Sequence, residues 1–184
     1  MEVITTALSG VLILRPKRFH DARGFFSEIY SSRRLEEAGI QADFVQDNIS
    51  VSKSRGTLRG LHFQTEPFGQ AKLVSVMQGA VLDVIVDLRR SSPTFGRHFS
   101  ITLSASQGNQ VFIPEGFAHG FLTHEPDTML CYKVSNFYSP EHDTGIRFDD
   151  ERLGIDWNFA HSDIVTSEKD RRLPSFDSKA AYFP

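Results

Sequence analysis

Several segments of this chain alternate apolar and polar residues with a period near two, as strands with one buried face do, and others are continuous β-rich runs. Val11-Leu12-Ile13-Leu14 is a short apolar strand stopped by Pro16. The segment from Phe19 opens as a polar turn and then runs as a strand. That strand puts Phe26, Glu28 and Tyr30 on one face and Phe25, Ser27 and Ile29 on the other. Glu28 between two rings is either a solvated edge charge or a specific acceptor. Phe44 to Ser52 alternates again, with many amides and hydroxyls, and Lys53 to Gly56 is a turn. Leu58 to Gln64 frames Arg59 and His62 with apolar residues. Lys72–Met77 and Val81–Leu88 are β-rich, and Gln78-Gly79-Ala80 between them predicts a hairpin. Phe99–Leu103, Val111–Ile113 and Met129–Val134 complete the set. The one clear helix runs from Arg33 to Ala38, capped by Ser31 or Ser32 and ended by Gly39.

From Phe137 on the pattern is irregular, with Pro140, Pro174 and a lone Trp157. Short strands about ten residues apart, with Gly and Pro turns, predict an all-β sandwich or barrel. A single domain over residues 1–184 follows from the length.

Composition narrows the function classes. Charged residues are 23% and hydrophobic ones 40%, as in an ordinary soluble globular chain. A net charge of -3 with interspersed signs argues against a general nucleic-acid binder. No apolar run approaches the length of about 20 residues that spans a bilayer, and Met1 to Thr6 lacks the regions of a signal peptide. Cys131 is the single cysteine, so no intrachain disulfide forms, which is compatible with a cytoplasmic location. It lies in an apolar run and reads as inert core. Asp83 and Asp87 share one face of their strand, read as a polar outer face.

Gly108 to His119 resembles the second cupin box, with Pro114 and Gly116 at the family spacing, and Gly56 to Gly79 resembles the first, with His62 in place. The resemblance implies a jelly-roll barrel whose boxes usually hold a metal. Here Gln64 replaces the second His and Lys72 replaces the ligand Glu. An ammonium repels a cation and has no lone pair. It can instead set a fixed positive charge beside an oxygen that becomes anionic. The residues thus point to acid-base chemistry with no metal and no cofactor.

Six segments narrow the match: Asp21 to Glu28, Gln46-Asp47-Asn48, Leu58 to Gln64, Pro114 to Phe121, Tyr138 to His142 and Ser167 to Asp170. In this order they resemble the dTDP-4-dehydrorhamnose 3,5-epimerase family, which inverts C3 and C5 of a 4-keto-6-deoxy sugar nucleotide. The resemblance implies His62 as base, Asp170 as its carboxylate partner, Tyr132 as acid and Lys72 as enolate stabiliser. Alone, Lys169 to Arg172 would be a solvated charge cluster. Asp83 either tunes Lys72 or a His, or is structural.

The resemblance also implies Arg23, Arg59 and His119 near the pyrophosphate. Phe26, Glu28, Gln46, Asp47 and Asn48 fall to the nucleotide end, with Tyr138 stacked on the base. Asp143 and Lys169 are further ligand candidates, Asp143 standing where the family usually has Glu. Family members are homodimers that exchange N-terminal strands, so Arg23 and Glu28 would serve the neighbour's site. The residues themselves show only a β-prone N-terminal segment able to join a sheet edge. Rival readings are an epimerase of one centre only, a metal cupin, and a sugar-nucleotide binding module without catalysis.

Overall fold

The computed structural model describes residues 1–184. The strands are β1 (Glu2–Thr5), β2 (Leu12–Arg15), β3 (Arg18–Asp21), β4 (Gly24–Ser27), β5 (Gln46–Ser52), β6 (Leu58–Gln64), β7 (Lys72–Gln78), β8 (Ala80–Asp87), β9 (His98–Ser104), β10 (Gln110–Ile113), β11 (Phe117–Thr123), β12 (Thr128–Val134) and β13 (Asp143–Gly145). Two short helices, α1 (Ser32–Glu37) and α2 (Glu168–Arg171), complete the elements together with a 3-10 turn at His161–Asp163. One sheet runs β1-β2-β10-β7-β12-β5 and the other β13-β6-β11-β8-β9. All the pairings within them are antiparallel. This is the all-β sandwich that the strand pattern predicts, in the jelly-roll form that the resemblance implies. No helix is long and apolar enough to cross a membrane.

Alternation decides what each face buries. Val74 and Val76 of β7, Val111 and Ile113 of β10, and Leu130 of β12 meet Val81, Ile85, Phe117 and Phe121 of the other sheet. Each such side chain contributes about 1.5–3 kcal/mol when fully buried. The alternate residues of β8 and β11, Leu82, Val84, Val86, Ala118 and Leu122, face outward. There the irregular C-terminal segment covers them with Ile146, Leu153, Trp157, Phe176 and Phe183. The indole Nε1 of Trp157 donates to the Phe148 carbonyl at 2.9 Å, so the buried ring keeps its polar atom satisfied. Helix α1 covers part of the outer face of the six-stranded sheet through Leu35, which packs with Leu14, Leu73 and Phe112.

Several expectations are corrected. Gln78–Ala80 is not a hairpin, because β7 and β8 belong to different sheets. The chain turns a corner there on Gly79, whose φ is +78° and whose missing Cβ leaves room for Thr128. A hairpin would put both strands in one sheet, whereas the corner lets both line the shared core. Asp83 and Asp87 do not lie on a polar outer face: they point inward with Val81 and Ile85 and are fully buried. Asp87 is neutralised locally by Arg89, Ser92 and Thr94.

The polar segment from Phe19 is not a turn but pairs as β3 with β4, which ends at Ser27 instead of reaching Tyr30. Ser31 is the N-cap of α1, but its side chain makes no capping bond. Cys131 is half-buried on the outer face of β12, between Met129 and Lys133, not in the core. Burial there pushes its thiol pKa up, which keeps it protonated. The β-prone N-terminus forms β1 and joins the edge of its own sheet.

One irregularity places the site. Between β6 and β11 the register runs His62↔His119 and then Arg59↔Phe121, so Gly60 and Leu61 together oppose Gly120. This is a β-bulge. A Cβ on Gly60 would lie 2.5 Å from the Gly120 Cα, and Gly60 has φ +128°. Only glycine tolerates both conditions. Without the extra residue, Arg59 and His62 would point to opposite faces; with it, both face the inter-sheet space. Gly60→Ala is therefore expected to destabilise the fold by about 2–5 kcal/mol, from strain and overpacking combined. Urea unfolding measures this. An unchanged midpoint would mean that the bulge is not constrained as described.

Candidate active site

The open end of the sandwich holds a cavity of about 930 Å³, lined by residues of both sheets. His62 enters from β6 in the five-stranded sheet. Its Nε2 lies 2.7 Å from Asp170 Oδ1, and Asp170 is 3% exposed. A carboxylate only accepts, so Nε2 carries the proton and Nδ1 is left free as a base. Asp170 reaches His62 because Ser167 caps α2, accepting from the Asp170 N–H at 3.0 Å. The Gly60 N–H of the bulge points at the other Asp170 oxygen, at 3.4 Å. Burial works to raise the Asp170 carboxyl pKa, but the bonds from His62, Gly60 and Ser167 outweigh it and hold it below the usual carboxylate range. The dyad is thus an ionised carboxylate that orients the imidazole beside it.

Lys72 and Tyr132 come from the six-stranded sheet, facing His62 across the cavity. Lys72 Nζ lies 3.4 Å from the His62 carbonyl. Burial lowers its pKa to about 8, against the opposing pull of Asp143 and Asp83. The Tyr132 phenol is pushed up, mainly by burial, so it stays protonated at neutral pH. Beside His62, on the neighbouring strands of its sheet, lies a second His–Asp pair. His119 Nε2 is 2.8 Å from Asp83 Oδ2, with Asp83 wholly buried and its Oδ1 without a partner. The structure thus assigns Asp83 to His119, with Lys72 feeling its charge.

At the mouth, Tyr138 donates to Asp143 at 3.0 Å, and Lys169 Nζ lies 2.5 Å from the same oxygen. Gln64 secures this loop: its Nε2 donates to the carbonyls of Phe68 and Phe137, and its Oε1 accepts from the Ser139 N–H. Gln46 and Asn48 project inward from β5, bonded to each other at 2.8 Å. Arg59 is braced by Ser52 Oγ and the Val51 carbonyl. Eleven of the residues singled out in the sequence therefore line one cavity: His62, Lys72, Tyr132, Asp170, Arg59, His119, Gln46, Asn48, Tyr138, Asp143 and Lys169.

Four do not. Asp47 lies between Gln46 and Asn48, so the two-residue period turns it to the outer face, where it pairs with Lys133 at 2.8 Å. Arg23, Phe26 and Glu28 sit on or beside the β3–β4 hairpin, away from the cavity, with Arg23 paired to Asp21 and Glu28 to Arg34. Two hydroxyls were missed. Ser50 Oγ and Thr166 Oγ1 line the cavity without partners. Ser50 was within reach of the pattern, since it continues the inward series of Gln46 and Asn48. Thr166 lies in the irregular segment, where no period exists to orient it.

His62 and His119 are cross-strand partners, the pair a metal cupin would use. Only two imidazoles stand here, Gln64 is committed to backbone groups, and Lys72 brings a proton-bearing nitrogen. No three His, Cys, Asp or Glu side chains converge. These residues do not fit a metal centre.

A family profile described as dTDP-4-dehydrorhamnose 3,5-epimerase matches residues 5–178. The chain is 46% identical over 169 residues to the dTDP-4-dehydrorhamnose 3,5-epimerase of Sinorhizobium fredii, a match spanning 92% of this chain and 86% of that one. The crystal structure of the Bacillus anthracis dTDP-4-dehydrorhamnose 3,5-epimerase, with TDP and PPi bound, matches at a TM-score of 0.93 and 47% identity, over 95% of this chain and 99% of that one. The Legionella pneumophila dTDP-6-deoxy-D-glucose-3,5-epimerase, in complex with dTDP-4-keto-L-rhamnose, matches at 0.88 and 40%, over 96% and 98%. Similarity of sequence and fold runs through nearly the whole length, and the chain belongs to the dTDP-4-dehydrorhamnose 3,5-epimerase family.

Proposed function

We propose that this protein inverts C3 and C5 of dTDP-4-dehydro-6-deoxy-D-glucose, giving dTDP-4-dehydro-L-rhamnose. One observation carries the mechanism: an oriented imidazole and a protonated phenol face each other from opposite sheets of one cavity, with a buried lysine beside them. The C4 ketone acidifies the neighbouring C–H bonds. Nδ1 of His62 takes the proton, the C–H pair moves into the ring, and the carbonyl pair moves onto O4. The Lys72 ammonium stabilises that enolate oxygen. Tyr132 then delivers its proton to the opposite face of the same carbon. His62 loses its proton and the tyrosinate regains one before the second carbon reacts. No electrons leave the substrate, so the reaction asks for no cofactor.

Arg59 and His119 bind the pyrophosphate in this reading, and bidentate guanidinium contacts suit phosphate. Gln46 and Asn48 meet the thymidine, Tyr138 stacks on its base, and Asp143 and Lys169 border the sugar end. Arg23, Phe26 and Glu28 act in the site of a partner copy. Their distance from this chain's cavity supports a homodimer that shares its sites. So do the exposed rings of Phe19, Phe25 and Phe26, at 52%, 54% and 69%, and the exposed Ile49 and Val51 on the outer face of β5. A cytoplasmic location accompanies the reading, since a lone cysteine needs no oxidising compartment.

In D2O the wild-type protein is expected to wash deuterium into both C3 and C5; exchange at one carbon alone would make it a single-centre epimerase. His62→Ala should abolish exchange at both. Tyr132→Phe should impair net inversion more than exchange, since abstraction survives without the acid, and equal losses in both would remove the role given to Tyr132.

The pH dependence follows from Lys72. Its ammonium is the useful form, present below its lowered pKa of about 8 and lost above it. Hence kcat/KM should fall as pH rises through about 8, and Lys72→Ala should cost about 10²–10³-fold in kcat. A profile flat to pH 10 would show that Lys72 is not the stabiliser.

Site sharing is tested by mixing inactive Arg23→Ala and His62→Ala chains. Statistical re-pairing should restore about a quarter of wild-type activity, because each mixed dimer regains one intact site. No recovery would mean that each chain completes its own site.

A further inference from the structure

Asp143 occupies the short strand β13, opposite Gln64 of β6. Its side chain is only 14% exposed although it stands at the cavity mouth. One oxygen, Oδ2, receives two bonds from two different parts of the chain: the Tyr138 hydroxyl and the Lys169 ammonium. The other oxygen makes none. Lys169 is the residue before Asp170, on the four-residue helix that presents Asp170 to His62. So short a helix has little stability of its own, because nucleation fixes about three residues for its first hydrogen bond. Something outside the helix must hold it. The bond of Ser167 fixes its start. Val165, just before it, is bonded to Gly56 and to Leu58 at the start of β6, and the Lys169–Asp143 ion pair ties the helix itself to β13 of the same sheet.

We propose that Asp143 is a positioning residue for the base: by tying Lys169 to β13 it seats α2, and with it Asp170, against His62. The inference rests on the epimerase reading and assigns Asp143 a role within it other than contact with the substrate. The bond from Asp143 raises the Lys169 pKa, as a charge-assisted contact does. Asp143 also ranks ahead of Asp83 among the charges that favour the Lys72 ammonium. The carboxylate thus touches one mouth residue, anchors the element behind the base, and biases the cation beside the reacting oxygen. Gln64 secures the Tyr138 loop from the other side, so both ends of the mouth are fastened to residues paired across β13 and β6.

The test compares wild type, Asp143→Ala, Lys169→Ala, the double variant and Asp143→Glu. Steady-state kinetics are paired with the His62 Nε2–H proton resonance of the ligand-free protein. Asp143→Ala should lower kcat about tenfold and change KM less than about twofold, the pattern of a lost transition-state contribution. The double variant should lose no more than the worse single one, because both act through one bond. The Nε2–H resonance should move upfield in Asp143→Ala as its bond to Asp170 lengthens. Asp143→Glu, which keeps the charge, should retain most of the activity and the wild-type resonance.

A raised KM at constant kcat, multiplying losses in the double variant, or an unmoved resonance would overturn the proposal and make Asp143 a substrate contact or a surface charge. If Asp143→Ala does not fold, Asp143→Asn carries the same comparison. A resonance that moves while wild type exchanges no substrate hydrogens would sink the epimerase reading and leave the positioning role standing.

Discussion

The approach of Gly60 to Gly120 is the constraint on which the site depends. Two backbones meet there at a distance that leaves no room for a Cβ on Gly60. The bulge so formed adds one residue to β6 and reverses the facing of everything before it relative to everything after. Arg59 and His62, three residues apart, thereby look into the same space. The amide of Gly60 also points at the carboxylate that orients His62. A single backbone irregularity thus sets the guanidinium, the imidazole and part of the dyad.

Around that point the site is a balance of buried charges. Asp170 and Asp83 are almost sealed from water, and each holds an imidazole. An unpaired carboxylate at such depth would be costly, so each carboxylate commits its histidine to one tautomer. Lys72 faces these pairs from the other sheet, with burial working against its charge and Asp143 and Asp83 working for it. The outcome is a buried cation close enough to neutrality to respond to pH. The same groups explain why a cupin frame here does not suit a metal: only two imidazoles remain, Gln64 is committed to backbone groups, and the third position bears an ammonium.

Legibility differed sharply between parts of the chain. Strand β5 could be read from its two-residue period and β7, β8 and β12 from β-rich apolar runs, whereas β11, buried on both faces, has no alternation to mark it. Gln46, Asn48 and the outward turn of Asp47 obey the two-residue period: the motif groups the three residues, but the period sends the middle one to the outer face, where it meets Lys133. Asp83 and Asp87 misled for the opposite reason. A carboxylate on a strand normally signals a wet face, but both are buried with partners supplied by other elements or a following loop. The hairpin at Gly79 failed because a tight turn between two strands looks alike whether it closes a ladder or rounds the corner of a sandwich. Helix α2 had a local signal after all, the Ser167 cap three residues before Asp170.

By itself the sequence determined the sandwich class, most of the strands, the replacement of metal ligands by Gln64 and Lys72, and the family resemblance that named His62, Tyr132 and Asp170. These are local properties of spacing and residue type. Tertiary structure alone decided that Asp170 reaches His62 across 108 residues of chain, that His62 and Tyr132 come from facing sheets, that Asp83 belongs to His119, and that Arg23, Phe26 and Glu28 lie outside this chain's cavity. The physical reason is the same in each case. Periodicity reports which side of a strand is buried, whereas the partner met on that side depends on how distant strands pair, and a one-residue bulge is enough to change it.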